Sequence, residues 1–193
     1  MKKRLLCISM LCISSFFTVQ VSAQTPTFVK GDHVAGAAIG IGGSLYSGYS
    51  YGSGLTRMPA ISVFYEHCIM DNLWDEKSSI GVGGVFGFAQ AKYYHSANGW
   101  GWRSTNFIIG ARGALHYALV DRLDTYTGLM LGFNAVSWKW RGDYHGYGSG
   151  KGSSGITMLW NLGARYYFTD NIAAFAEIGY GFAILNLGVA MKF

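Results

Sequence analysis

The chain has 193 residues, of which 28 are glycine and 2 proline; half are hydrophobic, 16% aromatic and 13% charged, with a formal charge of +5. Abundant apolar residues with few charges exclude a disordered chain, and glycine without a Gly-X-Y period excludes collagen. The length suits one domain and is short for two.

The first residues carry the three parts of a secretory signal. Lys2, Lys3 and Arg4 are basic, Leu5 to Val19 is an apolar run of 15 residues, and Val21-Ser22-Ala23 supplies small residues for a signal peptidase. Residues 1–23 are therefore expected to be cleaved off before Gln24, because the run is short of the ~20 residues of a spanning helix. Losing those three cations leaves 12 basic residues against 10 acidic ones, a formal charge of +2. Nucleic acid is not an expected partner of so balanced a chain. Cys7 and Cys12 leave with the signal, so Cys68 is expected to have no disulfide partner within the chain.

From residue 33 onward the dominant pattern is alternation over about ten residues, the length of a tilted membrane strand. Ala35, Ala37, Ile39 and Ile41 oppose Gly36, Ala38, Gly40 and Gly42. The segment 59–68 is less regular, since Phe64 shares a face with Glu66. Ile80, Val82, Phe86 and Phe88 oppose Gly81, Gly83, Gly87 and Ala89; Ile109, Ala111 and Leu115 oppose Gly110, Arg112, Ala114 and His116. Leu129, Leu131 and Phe133 oppose Tyr126, Gly128, Gly132 and Asn134. The most regular stretch sets Ile156, Met158, Trp160, Leu162, Tyr166 and Phe168 against Asn161, Gly163 and Arg165. Eight strands are predicted, at 33–45, 59–69, 78–92, 104–119, 124–138, 155–168, 172–181 and 184–193.

Short turns at 71–72, 120–122 and 169–171 alternate with longer Gly-, Ser- and aromatic-rich stretches at 46–58, 93–103 and 139–154. The last hairpin, near 181–184, is tight where a long loop would be due. The faces rich in Gly and Ala would solvate an exterior poorly but suit the crowded interior of a small closed barrel. The apolar faces end in aromatics, as a membrane girdle does. A soluble lipocalin-like barrel, with the apolar faces lining a ligand cavity, is the alternative.

These features resemble the small eight-stranded outer-membrane β-barrel proteins of Gram-negative bacteria. The resemblance covers 24–193 through strand count, loop asymmetry and the ending Leu187-Gly188-Val189-Ala190-Met191-Lys192-Phe193. It implies an all-β fold: an eight-stranded antiparallel transmembrane β-barrel in the cell outer membrane, with short periplasmic turns and longer extracellular loops. It further implies that the barrel assembly machinery reads Phe193, and that outer-membrane lipid and lipopolysaccharide surround the protein. Met191 departs from the pattern, an aromatic being common two residues before the end.

Glu66, Arg112, Arg165, Glu177 and Lys192 fall on the glycine-rich faces, with His116, Asn134 and Asn161 near them in the pattern. Eight strands enclose room only for side chains, so these are expected to pair as a polar network plugging the lumen, Arg165 with Glu177 across the 169–171 turn. A gated proton or ion path is the alternative. Tyr93, Tyr94, His95, Trp100 and Trp102 fall in one long loop, and Trp138, Trp140, Tyr144, His145 and Tyr147 in or beside another, with Lys139, Arg141 and Lys151 among them. Aromatics of this kind stack on sugars or meet a partner surface, and the cations suit lipopolysaccharide phosphates.

Catalysis is not expected. His95-Ser96-Ala97-Asn98 loosely resembles the His-x-Ser-Asn of lipid A deacylases, but adjacent residues of a strand point to opposite faces. The glutamate such a site requires is missing, the glutamates being Glu66, Glu76 and Glu177. The five histidines lack paired metal-ligand spacing, and Gly146 to Gly155 lacks the Lys-Ser/Thr of a phosphate loop, so no metal or cofactor is expected. The expected role is structural or surface-interacting, with a narrow conduit as the alternative.

Overall fold

The computed structural model describes residues 27–42, 55–95, 100–141, 154–181 and 183–193. The signal at 1–23 and Tyr144, His145, Tyr147 and Lys151 of the predicted loops lie outside these residues.

Nine strands follow in order: β1 (His33–Ile41), β2 (Leu55–Arg57), β3 (Ala60–Asp71), β4 (Ser78–His95), β5 (Trp100–Val120), β6 (Leu123–Arg141), β7 (Gly155–Tyr167), β8 (Ile172–Tyr180) and β9 (Leu185–Lys192). They make eight staves. Both β2 and β3 pair with β4, and the break between them falls at Met58-Pro59, where proline has no N–H for the ladder. β1 pairs antiparallel with β3, each strand from β4 to β8 with its successor, and β9 returns to β1. Closure leaves no free sheet edge around the ring, which is what allows a sheet to stand in hydrocarbon.

The alternation sorts as the barrel reading requires. Ile109, Leu129, Leu131, Phe133, Met158, Leu162 and Val189 all point outward and are exposed, Leu131 at 62%. Soluble sheets turn such a face inward, and a continuous exposed apolar belt of this extent marks a lipid-facing surface. The lipocalin-like alternative is thereby overturned: the apolar faces line the outside, and Arg165 at 0% exposure lies inside.

Several strands run past their predicted ends. The β4–β5 ladder continues to His95↔Trp100 and the β5–β6 ladder to Gly101↔Arg141. Tyr94, Trp102 and Trp140 thus sit on strands and not in loops. Alternating aromatics are good strand formers and stabilise each other across a ladder, so composition read as loop is here extended sheet. The wall is uneven as a result, with 18, 21 and 19 residues in β4, β5 and β6 against 9, 9 and 8 in β1, β8 and β9.

Glycine makes room in the lumen for large rings. A Cβ on Gly36 would overlap the Phe64 ring, and one on Gly163 would stand 2.5 Å from Tyr126 ring carbons. This is why Phe64 can share a face with Glu66: the ring turns inward, 8% exposed, over the void left by Gly36. Gly163→Ala is expected to destabilise the barrel by about 1–3 kcal/mol through overpacking, read as a lower urea midpoint in phospholipid vesicles.

Candidate functional site

The lumen has two halves. Toward the end holding the short turns and both described termini (the turn end), charged groups from β3, β5, β6, β7 and β8 converge. Glu66 joins two partners, with Oε2 accepting from Arg165 Nη2 at 2.9 Å and Oε1 lying 2.9 Å from His116 Nε2. The other ring nitrogen of His116 lies 2.9 Å from Asp124 Oδ2, and Arg165 Nη1 approaches the same oxygen at 3.8 Å. Both imidazole nitrogens therefore face carboxylates, a geometry that only a ring donating from both can satisfy. A second group lies beside the first: Arg112 Nη2 and the Tyr126 hydroxyl both donate to Glu177 Oε1 at 2.9 Å. The rings of Tyr126 and Phe64 pack on both guanidiniums, at 5.1 to 5.6 Å. With His116 as the imidazolium, three cations offset three carboxylates, so the buried cluster is neutral.

Two expectations need correction. Arg165 does not pair with Glu177; its partners are Glu66 and Asp124, while Glu177 takes Arg112. Asp124 is the direct ladder neighbour of Arg165 on β6, whereas Glu66 reaches it from β3 across the lumen, because the opposite wall of a closed eight-stave barrel is within side-chain reach. Nor do all the predicted lumen residues gather in one network. Asn134 donates to Asn106 Oδ1 at 3.1 Å, higher in the barrel, and Lys192 at the turn end donates to Thr27 O at 3.1 Å with Asp32 at 3.6 Å. Asn161 lies beside Arg112 across Gly128, at the edge of a cavity of about 60 Å³.

The sequence reading missed Asp124 and Phe28. Asp124 stands one residue into β6, beside a turn that already contains Asp121, and looks like a turn residue. Phe28 precedes the first strand, yet its ring enters the turn-end mouth, 3% exposed and 4.6 Å from the His116 ring.

The other half of the lumen is mostly apolar where a polar plug was expected, with Ser104, Asn106 and Asn134 as its polar residues. Ile108, Met130, Tyr93 and Trp102 are buried there with Ala60, Ala89 and Ala91, and Leu159 and Trp138 pack on them. The Trp102 and Trp138 rings lie 4.5 Å apart.

On the outside of the tall wall Tyr94 is exposed, at 52%, whereas Trp140, the ladder partner of Trp102, takes the lumen-side face of β6 at the upper rim and is 44% exposed there. His95, Trp100 and Arg141 contribute backbone pairing at its upper edge. Phe193 closes the turn end, its N–H donating to His33 O at 2.9 Å while its carbonyl accepts from His33 N at 3.1 Å. Among the described residues no group of three His, Cys, Asp or Glu side chains is arranged to hold a metal ion.

No family model and no curated protein matches the chain. Among solved structures it is similar to Ail, the attachment invasion locus protein of Yersinia pestis, at 13% identity and TM-score 0.45 over 86% of this chain and 100% of that one. It is also similar to the N-terminal β-barrel domain of Pseudomonas aeruginosa OprF, at 14% identity and TM-score 0.44 over 85% and 98%. A third is the outer membrane protein OprG from Pseudomonas aeruginosa, at 10% identity and TM-score 0.41 over 87% and 99%. All three are small outer-membrane β-barrels.

Proposed function

We propose that the chain is an integral protein of the bacterial outer membrane that works as a closed barrel, through envelope structure and surface contact and not through transport or catalysis. Its turn end faces the periplasm and its tall wall stands toward the outside. Outer-membrane lipid and lipopolysaccharide are its surroundings, and the barrel assembly machinery takes it up through the strand that ends in Phe193.

The observation that carries this reading is a filled lumen inside an apolar belt. Ile108, Met130 and Trp102 fill one half, the charged cluster the other, and Phe28 the turn-end mouth. The cavity beside Arg112, of about 60 Å³, holds no more than a few waters. That favours a closed barrel over a conduit.

The test starts with the outer-membrane fraction on a denaturing gel, boiled and unboiled. A folded closed barrel is expected to migrate differently when unheated, and deletion of Phe193 to reduce the heat-sensitive form several-fold. Recovery as a soluble periplasmic protein with no shift would overturn the assignment. Conductance steps in planar bilayers would overturn the closed lumen, and an altered lipid A profile in a strain lacking the protein would overturn the non-catalytic role.

A further inference from the structure

The outer face of the tall wall changes character in steps, and the ladder register fixes those steps. Phe86, Ile109 and Phe133 are cross-strand neighbours on β4, β5 and β6. Two residues higher come Phe88, Phe107 and Ala135, then Gln90, Thr105 and Ser137. The next row is Lys92, Arg103 and Lys139, with Lys92 opposite Arg103 and Arg103 opposite Lys139. Apolar, neutral polar and cationic rows thus follow in the order in which a lipid leaflet presents chains, linkages and phosphates.

Like charges directly opposed across a ladder destabilise it. These three are exposed, and among the described residues no carboxylate lies within 4 Å of any of them. The charge around them is also one-sided. Among the described residues every Asp and Glu lies in the lumen or at the turn end, whereas Arg57, Lys92, Arg103, Lys139 and Arg141 all stand on the upper wall. Just above the cationic row, Gly101 presents no side chain. There an open hollow of about 380 Å³ is edged by the three cations and Tyr94.

The heights agree. Four residues separate the Phe88–Phe107 row from the cations, about 13 Å along a strand at ~3.3 Å per residue and about 9 Å of height at a ~45° tilt. The headgroup layer reaches roughly 5–7 Å beyond the hydrocarbon, and side chains as long as Lys and Arg lean down toward it.

We propose that this hollow is a binding site for a phosphorylated glycolipid of the outer leaflet. The phosphate sits among Lys92, Arg103 and Lys139, the sugar lies against Tyr94, and the acyl chains run down over Phe88, Phe107, Phe86 and Phe133. A guanidinium flanked by two ammonium groups suits a phosphate, taking two oxygens in a fork while the lysines supply point charges. The proposal rests on the outer-membrane reading, since only an outer leaflet supplies such a lipid at that height.

The test uses the full mature chain refolded in phosphatidylcholine nanodiscs and titrated with bis-phosphorylated lipid A. Wild type is expected to retain the lipid. Lys92→Gln/Arg103→Gln/Lys139→Gln should bind at least tenfold more weakly, while Lys30→Gln/Lys77→Gln/Arg122→Gln, with equal charge loss at the turn end, binds as wild type does. Fully dephosphorylated lipid A should bind at least tenfold more weakly to wild type. Equal binding by the upper-wall variant, or by the dephosphorylated lipid, would overturn the proposal. Equal competition by inorganic phosphate would reduce the site to a free-anion site, and binding of a soluble sulfated polysaccharide without binding of lipid A would assign it to another partner. The heat-shift gel, run on the same variants, separates these failures from failure of the barrel itself.

Discussion

Arg165→Met is expected to weaken the barrel by about 3–5 kcal/mol, the usual cost of removing one member of a buried ion pair. Glu66 and Asp124 would lose their shared guanidinium and keep only His116 between them, leaving two carboxylates and one cation where the native cluster balances. Arg165 is fully buried and the side chains around it include Phe28, Phe64 and Tyr126, so water enters poorly to compensate. The measurement is urea unfolding in phospholipid vesicles, followed by tryptophan fluorescence and the cold-gel shift. Glu66→Gln placed on top of Arg165→Met should recover part of the loss, because it removes one unpaired charge and keeps an acceptor for His116. Independent, additive effects of the two substitutions would show that the two groups do not interact.

Leu131→Lys should cost about 2–4 kcal/mol, the penalty of a cation at the bilayer midplane on the lipid face of a barrel. Leu131 pairs with Ala111 midway between the Tyr117 and Thr105 rows of β5, so a lysine there has the longest reach to either interface. Gln90→Lys, on the same outward face beyond the aromatic rows, should change stability by less than about 0.5 kcal/mol, as surface substitutions usually do. In a water-soluble barrel the order would invert, with Leu131→Lys neutral or solubilising. Equal stability of both variants in vesicles would remove the lipid-facing assignment.

Much of this architecture was legible because a period of two has one physical meaning. Ile156 to Phe168 could not alternate so regularly without assigning two faces, and those faces are the ones observed. Where the sequence misled, the missing information was three-dimensional. Arg165 and Glu177 are close along the chain, but partner choice in the lumen depends on how the ring closes, and closure brought Glu66 of β3 to Arg165. Tyr94, Trp102 and Trp140 looked like loop because they border stretches rich in Gly, Ser and Asn, yet the ladder continues through them. Asp124 was hidden by its neighbours in a charged turn, and Phe28 by lying before the first strand. The cationic row was invisible for a further reason: Lys92, Arg103 and Lys139 are far apart in sequence, and only the register makes them neighbours.

The bond between Glu66 and Arg165 joins residues 99 positions apart, and the seam that completes the ring unites the first strand with the last. A meander still lacking that seam would hold an unmatched guanidinium and two unmatched carboxylates against the hydrocarbon. Contacts between distant parts of a chain form slowly because the intervening loop must be closed first, and interactions absent from the transition state act mainly by slowing unfolding. The charged cluster then behaves as a latch. It contributes little until the last strand is in place, and afterwards it makes each attempt at opening expose ions to lipid, so the finished barrel owes its persistence to slow escape as much as to depth of the well.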